Sequence, residues 1–233
     1  HIRIDFTNYD ASFPRQWKEF TEGKQLRGAF HGSTTVEIPN YSDTLFAKGN
    51  TAKEQIASAY NQGTNSNSKN VQFYFNIGSD YFLEIATLKA FRILWEAKKG
   101  SAPFIFAATT LTNKEEQYAY NNILRTTTEG MSAIFGGANA IMINSYNHSF
   151  EMPTAFSERI ARNQQTILRK ESYLDKVSDP TSGSYYIDYL VQELLQDFEI
   201  DSKEEEKPAT KKWSSAEDIE INNRYTKKDI SKI

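Results

Sequence analysis

The stretch NNILRTTTEGMSAIFGGANAIMI, residues 121–143, runs from a helical pattern into a short apolar segment across two glycines. Tyr120, Ile123, Leu124, Thr127, Met131, Ile134 and Phe135 fall on one face of a 3.6-residue period, which predicts an amphipathic helix. Gly136 suits the left-handed conformation that closes a helix, and Gly137 then lets the chain turn tightly. Ala140-Ile141-Met142-Ile143 has no polar alternation, so it predicts a short strand buried on both faces.

The same unit recurs upstream. Val71 to Ile77 reads as a strand ended by Gly78, with Ser79 or Asp80 placed to accept the free N–H groups of a helix start. The segment to Lys98 then carries Phe82, Ile85, Ala86, Lys89, Ile93 and Leu94 at helical spacing. Gly100 and Pro103 punctuate, and Phe104 to Ala108 is the next strand. Strand starts recur at roughly 30-to-40-residue intervals, the size of a strand–helix–strand unit. An α/β fold with a parallel sheet, open or closed into a barrel, follows.

Downstream, Ser157 to Lys170 carries Ile160, Gln164, Ile167 and Leu168, and a second stripe is formed by Ile187, Leu190, Val191, Leu194, Leu195 and Phe198. Between them Asp179 to Ser184 is turn chemistry. Near the N-terminus Ile2 to Phe6 alternates like a strand, Thr51 to Tyr60 reads as helix, and residues 61–70 read as a polar loop. These patterns divide the chain into an α/β domain over residues 1–198 and a charged linker with an extended arm over 199–233. In that arm Trp213, Ile219, Ile221 and Tyr225 are isolated apolar anchors, suited to lying on another surface.

Composition removes several function classes. The 233 residues carry a net charge of −3, and their aromatics sit in apolar runs rather than among Lys and Arg, so no nucleic-acid partner is expected. No apolar run approaches the ~20 residues that cross a bilayer, and no stretch reads as a secretory leader, so the expected setting is cytoplasmic and without a membrane partner. Cysteine is absent, and His1, His31 and His148 show no ligand spacing, so no metal site is expected. Gly136-Gly137 closes a helix, where the dipole favours cations over phosphate. There is no dinucleotide or P-loop glycine pattern, and Glu115-Glu116 reads as a solvated helix start. Asn40-Tyr41-Ser42 and Asn147-His148-Ser149 match a glycosylation sequon by coincidence. These residues alone specify an α/β domain and no reaction.

Longer motifs point to a family. Asn121 to Glu129 with Gly136-Gly137, then Pro153-Thr154, Ser157 to Gln164, and Asp179-Pro180 with Gly183 to Tyr186, resemble the late-barrel segment of methylmalonyl-CoA mutases. Ile77-Gly78, Phe82 to Ala86 and Arg92 to Trp95 match upstream, so the resemblance is firm over residues 71–195. It implies a (β/α)8 TIM-type barrel, present whole or in part, that holds acyl-CoA along its axis. It also implies adenosylcobalamin chemistry that converts methylmalonyl-CoA to succinyl-CoA.

The departures from the family are as informative. Where catalytic chains carry a Tyr-His-Met-Gln-Glu-Ala-Gly run, the best match here is Asp43 to Gly49, with Thr44 in place of the His. Where they carry an Asp-Glu pair ahead of Pro-Thr, this chain has Asn147 and His148. An amide and an imidazole do not reproduce two carboxylate acceptors. The cobalt-ligand motif Asp-x-His-x-x-Gly is also absent from the sequence. The resemblance is therefore to the non-catalytic small subunit of a heterodimeric mutase, which stabilises a catalytic large subunit that holds the adenosylcobalamin. On that expectation this chain has no catalytic residue and binds no cofactor. The alternative is an acyl-CoA-binding chain that works with a cobalamin domain supplied in trans. Lys89 matches a basic family position that contacts CoA, and Arg92 lies nearby. The competing view makes both ordinary amphipathic helix positions whose stems pack and whose charges reach water. Trp213 to Ile219 and Tyr225 to Asp229 resemble a segment that precedes the barrel in mutase chains, although here they follow it.

Overall fold

Two heavily apolar strand segments with glycine at their ends organise a sheet whose strands all run the same way. The computed structural model describes residues 41–68 and 70–198, together with residues 2–5, 28–31, 212–214 and 220–222. Six strands pair in sequence order and every pairing is parallel. They are β1 (Ile2–Asp5), β2 (Gly28–His31), β3 (Tyr41–Phe46), β4 (Val71–Ile77), β5 (Phe104–Thr109) and β6 (Ala140–Met142). Helices α1 (Ala52–Asn65), α2 (Tyr81–Lys99) and α3 (Asn121–Phe135) make the crossovers between β3 and β6. Helices α4 (Ala155–Lys170) and α5 (Tyr185–Leu195) follow, and α5 packs on α2. Strands β7 (Lys212–Ser214) and β8 (Glu220–Asn222) form a separate antiparallel pair. The rest of the expected linker and arm, and Phe6, lie outside the described residues.

Strands that follow one another without reversing order, joined by right-handed crossovers, place successive helices on one face. The packing agrees. Phe73, Phe75, Ile77, Ile105 and Ala107 of the sheet meet Ile85, Leu88, Phe91, Leu94 and Trp95 of α2 in the main core. Phe73 anchors it, with its ring centroid 4.7 Å from Phe91 and 4.6 Å from Trp95. The opposite face carries a second cluster made of strand residues alone: Phe46, Tyr74, Phe106, Ala108, Ala140 and Met142. The described strands thus form an arc of six, with the helices outside and an inner face free of them.

Several local expectations change. Helix α1 continues five residues past Tyr60, through Asn61 to Asn65. Gly63 is buried, and a Cβ there would lie 2.5 Å from Trp95 Cζ3, so the segment stays helical because its glycine fits under two aromatic rings. The two later glycines exchange roles. Gly136 stays in the right-handed region at φ −72°, and Gly137 takes the left-handed conformation at φ +84°. Gly136 is needed for closeness, since a Cβ there would lie 2.9 Å from Leu88.

The apolar stripe of α3 does not face the core. Tyr120 and Leu124 are exposed, and the buried face carries Asn122, Thr126, Glu129, Gly130, Ser132 and Ala133. Phe82 and Ile93 of α2 and Ile167 of α4 also face outward. Strand β6 is only half-buried, in contrast to the expectation of a strand covered on both faces.

Candidate functional site

Alternation along each strand decides what the inner face presents. The register sets three rows across it. Thr44, Gln72 and Phe104 lie nearest the N-terminal ends; Phe46, Tyr74, Phe106 and Ala140 come next; Asn76, Ala108 and Met142 lie toward the C-terminal ends. Thr44, which stands at the family's histidine position, is buried, and its Oγ1 accepts a hydrogen bond from Gln72 Nε2 at 2.9 Å. Gln72 Oε1 has no partner and the residue is 1% exposed.

The C-terminal ends of β4 and β5 are tied by a polar network that sequence reading missed. Lys114, in the loop after β5, reaches across to α3 and donates to both Glu129 carboxylate oxygens at 2.8 and 2.9 Å, with both side chains buried. Asn113 Nδ2 donates to Glu129 Oε1 and to Ser79 Oγ, each at 2.7 Å, linking this loop to the one after β4. Burial pushes Glu129 up and Lys114 down in pKa, and each is opposed by the other. Beside them Glu84 of α2 accepts the Gly78 N–H at 2.7 Å. Burial first, and then the charges of Asp80 and Glu129, raise the Glu84 carboxyl to about 7 against the Gly78 hydrogen bond.

Asn122 does similar work one turn into α3. Its side chain donates to the carbonyls of Glu115 and Tyr146 and accepts the Glu115 N–H. It fixes the loop ahead of α3 to the loop after β6. The latter holds Asn147 and His148. Asn147 is 1% exposed; its Nδ2 donates to Glu151 at 2.6 Å, and its Oδ1 has no partner. His148 is exposed.

Lys89 and Arg92 lie elsewhere, on the outer side. Both line a cleft of about 1010 Å³ that runs from α2 past the C-terminal ends of α3 and α4 to the start of β6. Lys89 Nζ donates to Asp179 Oδ1 at 2.8 Å and to Thr181 Oγ1 at 3.2 Å. Arg92 Nη2 donates to the Gly137 carbonyl at 2.5 Å and to Asn139 Oδ1 at 3.2 Å. Asn139 Oδ1 also accepts the Ile105 N–H, so Arg92 braces the turn into β6. Burial lowers the Arg92 pKa, opposed by Glu96 and Asp179. The structure brings the two cations into one cleft and gives each an internal partner.

With this geometry in hand, the model of the methylmalonyl-CoA mutase family matches residues 50–203, more than half of the chain. The chain belongs to that family. It is 36% identical over 186 residues to a methylmalonyl-CoA mutase of Rhizobium meliloti (strain 1021), covering 75% of this chain and 24% of that protein. It is 41% identical over 134 residues to a methylmalonyl-CoA mutase small subunit of Porphyromonas gingivalis, covering 53% of this chain and 22% of that one. The mutase of Escherichia coli (strain K12) is 37% identical over 135 residues, covering 54% of this chain and 19% of that one. This mutase-family chain therefore spans at most about a quarter of the length of these relatives. No helix among its described residues is long and apolar enough to cross a membrane.

Proposed function

We propose that this chain is part of a non-catalytic small subunit of a heterodimeric adenosylcobalamin-dependent methylmalonyl-CoA mutase, and that it stabilises a catalytic large subunit. On this reading its six-stranded arc belongs to a (β/α)8 barrel domain over residues 1–198, residues 199–233 are the arm, and the assembly works in the cytoplasm.

One observation carries the reading: the two positions expected to hold catalytic donors hold side chains turned toward the protein itself. Thr44 is spent on Gln72. Asn147 points its amide at Glu151 within its own loop. Neither offers a charged or basic group to a thioester. The mouth residues also do not fit a corrin. Asn147 is buried there and an exposed histidine stands beside it, with no carboxylate pair to accept from the ring's amides. No chemical step is derived through that cofactor here, and the reading assigns it to the partner. The relative named as a small subunit adds support.

The competing reading, an acyl-CoA-binding chain served in trans, draws on Lys89 and Arg92 sharing one cleft. Their salt bridge to Asp179 and hydrogen bonds to Thr181, Gly137 and Asn139 favour a structural role for both. Mixing the purified chain with a catalytic large subunit tests the proposal. The expected result is a stable complex burying well over ~2,000 Å², with turnover only when the large subunit is present. Turnover by this chain alone with adenosylcobalamin, or no association, would overturn it.

A further inference from the structure

The inner face of the sheet is apolar where a ligand channel would need small or polar walls. Phe46 and Tyr74 have ring centroids 4.9 Å apart, and Tyr74 stacks on Phe106 at 5.5 Å with 28° between the planes. The three rings come from consecutive strands in one register row, so they spread over two strand spacings, about 10 Å. Tyr74 is 8% exposed, Phe106 6% and Ala108 1%. The small side chains of Ala108 and Ala140 give the Phe106 ring its room, as in an interdigitated core.

The interior of an eight-stranded parallel barrel is just wide enough for side chains to fill. An open axis therefore requires small residues in every row. Here one row supplies three aromatic rings that turn their faces to one another. Gln72 and Thr44 lie on the far side of that row from the C-terminal mouth. A ligand arm carrying amides would have to leave its N–H and C=O groups unpaired against those rings, at about 1–3 kcal/mol for each group.

We propose that Phe46, Tyr74 and Phe106 form an aromatic plug that makes the inner face part of the dry core and closes it to pantetheine-bearing ligands. The inference rests on the non-catalytic reading and names what occupies the place of a substrate.

The chain has three methionines, Met131, Met142 and Met152, which makes a clean reporter set. Met142 lies in the inner-face cluster, Met131 packs with Ile143 and Leu168 on the helix side, and Met152 is exposed in the loop before α4. The intact chain labelled with ¹³C-methyl methionine is titrated with S-acetylpantetheine and with acetyl-CoA to several millimolar. Met142 is expected to stay in place in both titrations. A saturable Met142 shift with Met131 unmoved would overturn the plug.

Phe106→Ala supplies the positive arm, with Phe106→Leu if the first variant does not fold. Benzene is expected to move Met142 saturably in the variant and not in the wild type, because a dry apolar cavity takes an apolar guest. An equal benzene response in the wild type would show that the row is not closed. The outcomes separate from those of the subunit proposal. A chain that joins a large subunit yet shifts Met142 with acetylpantetheine refutes the plug alone. A chain that fails to associate while Met142 stays still refutes the subunit role alone.

Discussion

Replacing Lys114 by Met tests whether the network over the strand ends holds the fold together. The change removes all three of the Lys114 ammonium's hydrogen bonds, to Asn113 and to both oxygens of Glu129. It leaves a carboxylate 1% exposed with only Asn113 as a donor. Breaking a buried pair by deleting one partner costs about 3–5 kcal/mol, since the remaining charge is uncompensated. For a protein of this size that corresponds to a fall in Tm of roughly 6–20 °C.

The loss should also depend on pH. Burial already raises the Glu129 pKa, and without Lys114 nothing cationic in contact opposes it. A carboxyl whose folded pKa lies above its unfolded value contributes stability at low pH and loses it as pH rises through the folded value. The Lys114→Met penalty is therefore expected to be larger at pH 8 than at pH 5. Denaturant titrations at both values read it directly. Lys114→Met/Glu129→Gln should recover most of the loss at pH 8, because no buried charge remains. A penalty below about 1 kcal/mol, equal at both pH values, would mean that the pair behaves as a surface ion pair and that the argument is wrong.

Two further outcomes follow from buried contacts. Glu84, with its carboxyl raised from 4.5 to about 7, contributes stability below pH 4.5 that is lost as pH rises through 7. The size is on the order of 3 kcal/mol, and Glu84→Gln should flatten that part of the profile in denaturant titrations from pH 4.5 to 8. Gly63→Ala would ordinarily gain about 1 kcal/mol of helix propensity. Here its Cβ would meet Trp95 at 2.5 Å and Phe73 at 2.7 Å, so overpacking of roughly 1–3 kcal/mol should dominate. Thermal melts should show a lower Tm, partly rescued by Trp95→Phe, and a higher Tm would refute the packing account.

What the sequence made legible was the part governed by local pattern. Strands β4 and β5 were readable because their apolar runs are dense and end in glycine or proline punctuation, and Asp80 caps α2 as its position suggested. Asp179 and Gly183 do take positive φ in the expected turn. Helix α3 shows the limit. Periodicity ranks faces by hydrophobicity, yet the buried face is held by hydrogen bonds. Asn122 clamps two loops, and Gln164 of α4 reaches the Ile123 carbonyl and the hydroxyls of Thr126 and Thr127. Those partners are 24 to 41 residues away from α3 positions, so no window along the chain contains them. Lys114 and Glu129 are invisible for the same reason: a loop lysine and a helix glutamate meet only after the crossover forms. The one available signal was the run Asn122, Thr126, Glu129 and Ala133, a polar stripe at helical spacing that could have been weighed against the apolar one.

The two surprises concern opposite faces of one sheet and support one conclusion. Around the helix-side core, α3 buries polar groups, each satisfied by a specific partner, which makes that interface particular about geometry. On the inner face the sheet buries rings, which are tolerant of geometry and exclude water. Enzymes of the barrel class place their chemistry at the C-terminal ends of the strands, supported by whatever lies beneath. In this chain the strand ends carry a closed network of Lys114, Glu129, Asn113 and Ser79, whose donors and acceptors are directed at one another. Beneath them the rings leave no polar support. A site whose polar groups are mutually satisfied above a dry core has rigidity to contribute and little to offer a reacting thioester. That distribution is what a subunit retained for its shape requires.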